Sequence, residues 1–281
     1  MKKILITTDF STNSKKAIRF ALQIASQMEC ELLFYNVIEI MKPTIWNQSK
    51  FEEYKISQRA QKQKRLQKFV ESIFQKQNFL KVNYQCFCGI NMDVEEQIIT
   101  FAKKNKVDYI CMSTRGAGII KKILGTNTSR LINSSPIPII VVPQNYRIKS
   151  ITSLCYASDL ENLSHELKTI NAFSEELKIK LIVLHYDYDS EANRGRLSKL
   201  AAKYATEYIM FNFRELETED ILLFQMQNDI EKLNPSLLFL FTHQNKKWLE
   251  RLFNPSKTAE MSFNTKIPLL VFRKKVKNNN H

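Results

Sequence analysis

The chain has 281 residues, 44% of them apolar, which is enough to bury one large core or two of ordinary size; two is the expectation. Its 42 Lys and Arg against 28 Asp and Glu leave a net charge of +14, a balance that suits anionic partners such as nucleotides. Nucleic acid or an anionic membrane surface would suit that charge too, but nucleic-acid binding rests on charge alone, with no basic and aromatic residues interleaved on a strand or recognition helix, and is not the expectation.

In chain order, "KKILITTD" (2–9) is a β-branched run ending in Thr and Asp, and reads as a strand. "NSKKAIRFALQIASQM" (13–28) comes next, with Ala17, Phe20, Ala21, Ile24 and Ala25 at helical spacing. "CELLFYNVIEI" is a second buried strand, and the polar stretch 50–78 carries Phe69, Val70 and Ile73 among many Lys, Gln and Arg, as an outward-facing helix would. "NYQCFCG" alternates as a third strand. "MDVEEQIITFAKKNK" opens a helix with Asp93 as N-cap and acidic residues in its first turn, where they complement the helix dipole. "VDYICMS" is a fourth strand, a helix is expected near 127–133, and "PIPIIVVP" is a fifth strand bracketed by prolines. Strands alternating with helices predict an open parallel sheet with helices on both faces.

The order then repeats. Residues 151–187 track the pattern of the first strand, helix and second strand down to an Asp after the first strand (Asp9, then Asp159), and residues 235–272 track 107–142 with Ile-Pro before each final strand. The expected organisation is a domain over 1–145, a second and degenerate domain over 149–275, and a polar tail over 276–281. Each domain is expected to be a five-stranded α/β unit, the two packed as an intramolecular pseudo-dimer.

Between the fourth and fifth strands lies "STRGAGIIKKILGTNTSR", which holds three of only five glycines in the chain. In open parallel sheets ligands bind beyond the carboxyl ends of the strands, where the strand order reverses. Gly116 and Gly125 would let backbone approach a ligand, Thr126 and Thr128 add hydroxyls, and amides opening the next helix would face an anion. Asp9 sits at the same edge, where its carboxylate either accepts from a ribose or, with Ser11, caps the first helix. Lys121 and Lys122 either neutralise phosphate or belong to a solvated loop.

"ILITTDFSTNSKKAIRFA" together with the glycine segment resembles the universal stress protein family, whose nucleotide loop runs Gly-x2-Gly-x9-Gly-[Ser/Thr]. The likeness covers the first half and, more weakly, the second, as in a tandem member. It implies a regulatory, stress-response protein that binds ATP or AMP, with Mg2+ beside ATP, through Thr8, Asp9, Val37, Met112, Ser113, Gly116, Gly125, Thr126, Asn127 and Thr128. Two departures stand out: Ser113 holds the first glycine position, and eight residues rather than nine separate Gly116 from Gly125. A Cβ at Ser113 and a shorter loop imply weakened ATP binding and preference for fewer phosphates. In the second half Pro255 replaces Gly125 and Trp248 and Phe253 fill the loop, so no nucleotide is expected there; Asp159 reads as a cap.

No catalytic set is visible, which favours a binding protein over a slow ATPase or phosphotransferase; a tandem scaffold that binds no nucleotide and acts only through protein interactions is the alternative, and an unknown protein partner and a further homodimer are among the expected partners. His185 reads as a packed side chain and His243 as a remnant of the loop. The five cysteines are odd in number and scattered, giving neither a disulfide framework nor a zinc site. With no apolar run long enough for a membrane span and no cleavable leader, the expected location is the cytoplasm.

Overall fold

The computed structural model describes residues 1–75, 82–114, 126–175, 177–188, 190–218, 221–242 and 266–274. The chain divides into two compact units, Met1–Ile148 and Lys149–His281.

In unit 1 the elements run β1 (Lys2–Thr7), α1 (Ser14–Ala25), β2 (Cys30–Ile38), α2 (Gln48–Gln75), β3 (Tyr84–Ile90), α3 (Val94–Lys104), β4 (Tyr109–Ser113), α4 (Thr126–Ser134) and β5 (Ile139–Val142). The strands form a parallel sheet in the order β3-β2-β1-β4-β5. Consecutive strand residues point to opposite faces, and Ile4, Leu5 and Ile6 are all at most 1% exposed, so both faces of the sheet are covered. On α1 Ala17, Phe20, Ala21 and Ile24 are buried as the spacing predicts, whereas Ala25 is half-buried and Ile18 and Leu22, outside the predicted stripe, are fully buried as well. The long α2 buries Leu66, Val70 and Ile73 at helical intervals. Phe69 lies on the shoulder of that stripe, where its ring meets Phe10 edge-on at 5.4 Å. Asp93 caps α3 as predicted, accepting from the Glu96 amide at 3.0 Å, with Glu95 and Glu96 in the first turn. Gly89 in β3 is needed for space: a Cβ there would overlap the Tyr35 hydroxyl, which accepts from Gln97 Nε2 at 2.7 Å.

Unit 2 repeats the plan with β6 (Ser153–Ala157), α5 (Leu163–Ser174), β7 (Lys180–Asp187), α6 (Ser190–Tyr204), β8 (Ile209–Glu215), α7 (Leu222–Leu233), β9 (Leu237–Thr242) and β10 (Leu269–Arg273). Its strands are also parallel, in the order β10-β9-β6-β7-β8. Small backbone features recur at matching places. Lys106 and Asn234, each just before the fourth strand of its unit, both take the left-handed conformation, with φ 52° and 42°. The Asp108 amide donates to the Lys3 carbonyl and the Ser236 amide to the Ser153 carbonyl, at 2.9 and 2.8 Å. All five cysteines are free thiols; burial pushes Cys86 and Cys155 up to about 12, which keeps them protonated and unreactive. Among the described residues, no helix is long and apolar enough to cross a membrane.

Candidate functional site

The strand order of unit 1 reverses between β1 and β4, which pair in parallel with Ile6 opposite Cys111. In doubly wound parallel sheets the crevice outside the carboxyl ends of two such strands is where ligands bind. β1 ends into Thr8 and Asp9; β4 ends in Met112 and Ser113, both 7% exposed.

The turn after β1 is built by local hydrogen bonds. The Thr8 amide continues the ladder to the Tyr35 carbonyl at 2.9 Å, and the Thr8 hydroxyl shares a 2.8 Å bond with Ser14 Oγ while accepting from the Phe10 amide at 3.1 Å. Asp9 is exposed, and its Oδ1 accepts from the Ser11 amide at 3.0 Å; Phe10 takes φ 65°, which turns the chain sharply toward α1. The start of α1 is served by Ser11, whose Oγ accepts from the Ser14 amide at 3.1 Å. Of the two capping candidates, therefore, Ser11 serves the helix and Asp9 closes the turn before it.

On the β4 side, the Thr128 hydroxyl donates to the Ser113 carbonyl at 3.2 Å, which ties the first turn of α4 to the end of β4. Thr126 and Asn127 open that helix. Val37 lies half-buried near the end of β2, two residues beyond the Thr7–Tyr35 pair, so it flanks the crevice from the other side of β1. Gly116, Gly125, Lys121 and Lys122 lie outside the described residues. Sequence reasoning missed Asn36, whose amide donates to the Thr8 carbonyl at 2.8 Å and fixes the turn to β2. The signal was present: one amide directly after the apolar run Leu32–Tyr35, matched by His185 after the run Leu181–Leu184 in β7.

The corresponding place in unit 2 keeps the backbone and changes the chemistry. Ser158 Oγ accepts from the Leu160 amide at 3.0 Å, Asp159 Oδ1 accepts from the Glu161 amide at 3.1 Å, and Leu160 has φ 66°. His185 is packed as expected, its Nδ1 2.8 Å from the Ser158 carbonyl. Since a carbonyl only accepts, Nδ1 carries the proton. Asp159 closes the turn, and beyond that local role it is ion-paired to Lys274. The Lys274 side chain is 2% exposed and also meets Glu161 at 3.2 Å and Glu166 at 4.0 Å. Glu166, 1% exposed, accepts from the Tyr156 hydroxyl. Burial pushes the Glu166 carboxyl above the usual carboxylate range, an effect that the Tyr156 bond and Lys274 partly offset. Burial and the Glu166 charge push the Tyr156 phenol up, so it remains a donor. His243, Trp248, Phe253 and Pro255 lie outside the described residues.

A parallel five-stranded sheet in the order β3-β2-β1-β4-β5, with helices between its strands, defines a doubly wound α/β class of fold. The universal stress protein family model matches residues 1–143, and the chain belongs to that family. A curated universal stress protein of Methanocaldococcus jannaschii is 27% identical over 146 residues, covering 50% of this chain and 81% of that protein. The crystal structure of a universal stress protein from Archaeoglobus fulgidus superposes with a TM-score of 0.67 at 15% identity, covering 96% of this chain and 98% of that one. A functionally unknown protein from Pseudomonas aeruginosa superposes with a TM-score of 0.59 at 16% identity, covering 97% and 92%. At such identities the structural likeness speaks to fold alone.

Proposed function

We propose that the protein is a cytoplasmic, regulatory binding protein of the stress response whose unit 1 takes an adenine nucleotide, ATP with Mg2+ or AMP, at the β1–β4 crevice. The observation that supports this best is the convergence of Thr8, Asp9, Met112, Ser113 and the opening of α4 on one edge of the sheet, locked by the Asn36–Thr8 and Thr128–Ser113 bonds. In this reading Asp9 meets the ribose, Val37 flanks the base, and the amides of Thr126, Asn127 and Thr128 face phosphate with the helix dipole behind them. Gly116 and Gly125 admit the phosphates to the backbone. No catalytic step is invoked; binding shifts conformation or assembly, and so partner choice.

The test is calorimetric titration of the whole chain with ATP, AMP and inorganic phosphate, together with mass spectrometry of ligand released from protein purified without nucleotide. Asp9→Asn is expected to weaken binding by about tenfold, the worth of one charge-assisted hydrogen bond, and Asp159→Asn to leave it unchanged. Absence of binding by all three ligands would favour the scaffold reading, which is supported by the replacement of the family's first loop glycine by Ser113.

A further inference from the structure

Unit 2 holds a cavity of about 400 Å³ beyond the carboxyl ends of β6, β7 and β9. That is within the ordinary range for a small-molecule pocket. Its wall is largely aromatic and apolar: Tyr156 and Phe241 meet edge-on at 5.4 Å, and Tyr186, Leu222 and Met226 line it beside them. Its charged side is the Lys274 cluster, in which one cation is shared by three carboxyl groups, those of Asp159, Glu161 and Glu166. Lys274 is therefore already engaged by carboxyl groups, and the carboxylate of Asp159 on the cavity wall, with Glu161 beside it, opposes an incoming anion. Tyr188, which lines the cavity and is 48% exposed, adds an aromatic surface that a flat ring can meet.

We infer that this cavity in unit 2 binds a flat aromatic molecule bearing no negative charge, a ligand class distinct from the nucleotide proposed for unit 1. Occupancy does not depend on unit 1, so this reading and the nucleotide reading fail separately. The two sites share a position in the repeat and differ in charge, which lets one chain sense two chemically unlike ligands.

The test uses two fluorescent dyes of nearly the same skeleton, neutral phenylnaphthylamine and anionic anilinonaphthalenesulfonate, titrated against the whole chain. The neutral dye is expected to bind at least about tenfold more tightly, and saturating ATP to leave it bound. Leu222→Trp, which fills the cavity from α7, should abolish the signal of the neutral dye. Should that variant fail to fold, Asp159→Asn combined with Glu161→Gln decides: both residues are exposed, and removing their charges should close the gap between the dyes by strengthening the sulfonate. Equal or tighter binding of the sulfonate to the unaltered chain, displacement of the neutral dye by ATP, a folded Leu222→Trp protein that still binds it, or a gap left unchanged by the double substitution would each overturn the inference.

Discussion

The turn after β1 and the turn after β6 differ in almost every side chain and agree in backbone. Phe10 and Leu160 share the same left-handed conformation, Thr8 and Ser158 accept the same amide bond, Asp9 and Asp159 close the same short loop, and Asn36 and His185 hold the same carbonyl from the neighbouring strand. The surroundings of the two turns diverge. In unit 1 the Phe10 ring meets Phe69 and lies under Arg65, whose guanidinium is 4.3 Å from the ring centre. In unit 2 the aspartate is drawn into an ion cluster with Lys274. The turn is thus a property of the sheet's switch point, kept by side-chain hydrogen bonds to the backbone whether or not the charges around it suit an anion.

The largest expected effect separates the units through Lys274. Lys274→Met should destabilise the chain by about 2–3 kcal/mol in urea denaturation, because Glu166 is left buried without its cation. Gln144, at the matching position of unit 1 when the Ile-Pro pairs are aligned, is exposed, and Gln144→Met should cost no more than about 0.5 kcal/mol. Comparable losses at both positions would show that the cluster is not what sets unit 2 apart.

Next in size is the shared carbonyl tie. Asn36→Leu and His185→Leu each leave a buried carbonyl without its side-chain donor and should each cost about 1–3 kcal/mol, whereas His185→Asn borrows the donor of unit 1 and should cost less than about 1 kcal/mol. If His185→Asn proves as damaging as His185→Leu, the two ties are not equivalent, and chemical denaturation of the three variants decides.

The left-handed residues sharpen the contrast at a smaller scale. Glycine relieves about 1–2 kcal/mol of backbone strain at either position and returns up to about 1 kcal/mol of it as unfolded-state entropy. Leu160→Gly should therefore be close to neutral in thermal unfolding. Phe10→Gly loses the ring contacts as well and should be the worse of the pair by about 1–2 kcal/mol.

The smallest effect is in pH dependence. Glu166 has a folded-state pKa raised above its unfolded value of ~4.3, so its contribution is fully present below that value and is lost as pH rises through the folded pKa. Stability should fall as the medium is taken upward out of the carboxylate range, and Glu166→Gln, which keeps an acceptor for Tyr156, should flatten that limb. Urea midpoints measured across the window check both signs; a limb that persists in the variant belongs to another group.

How far these features were legible depended on their range in the sequence. The Asp93 cap is an interaction between residues three apart, so composition and position were enough to predict it. The alternating strands and helices rest on patterns within each element and the structure bears them out; the family model bears out the resemblance, and on α1 the pattern gave Ala17, Phe20, Ala21 and Ile24 but overreached at Ala25 and passed over Ile18 and Leu22. On α2 the same pattern gave Val70 and Ile73 but passed over Leu66, because a mostly polar helix has only a narrow buried stripe and its rotation is set by the sheet it meets. Asp159 reads as a local cap from sequence; its partner Lys274 is 115 residues away, and no local pattern announces that pair.

The sequence by itself determined the strand–helix order, the repetition of that order and the residues that end the first and fourth strands, because apolar periodicity and short-range hydrogen bonding act within a few residues. Only the tertiary structure decided which polar groups meet at the switch points. Parallel pairing brings β1 beside β4 and β6 beside β9 across long stretches of chain, and the register of the strands puts Asn36 on the Thr8 carbonyl and Lys274 on Asp159. Burial then sets their charge states, since the cost of ionising Glu166 depends on the side chains that close over it.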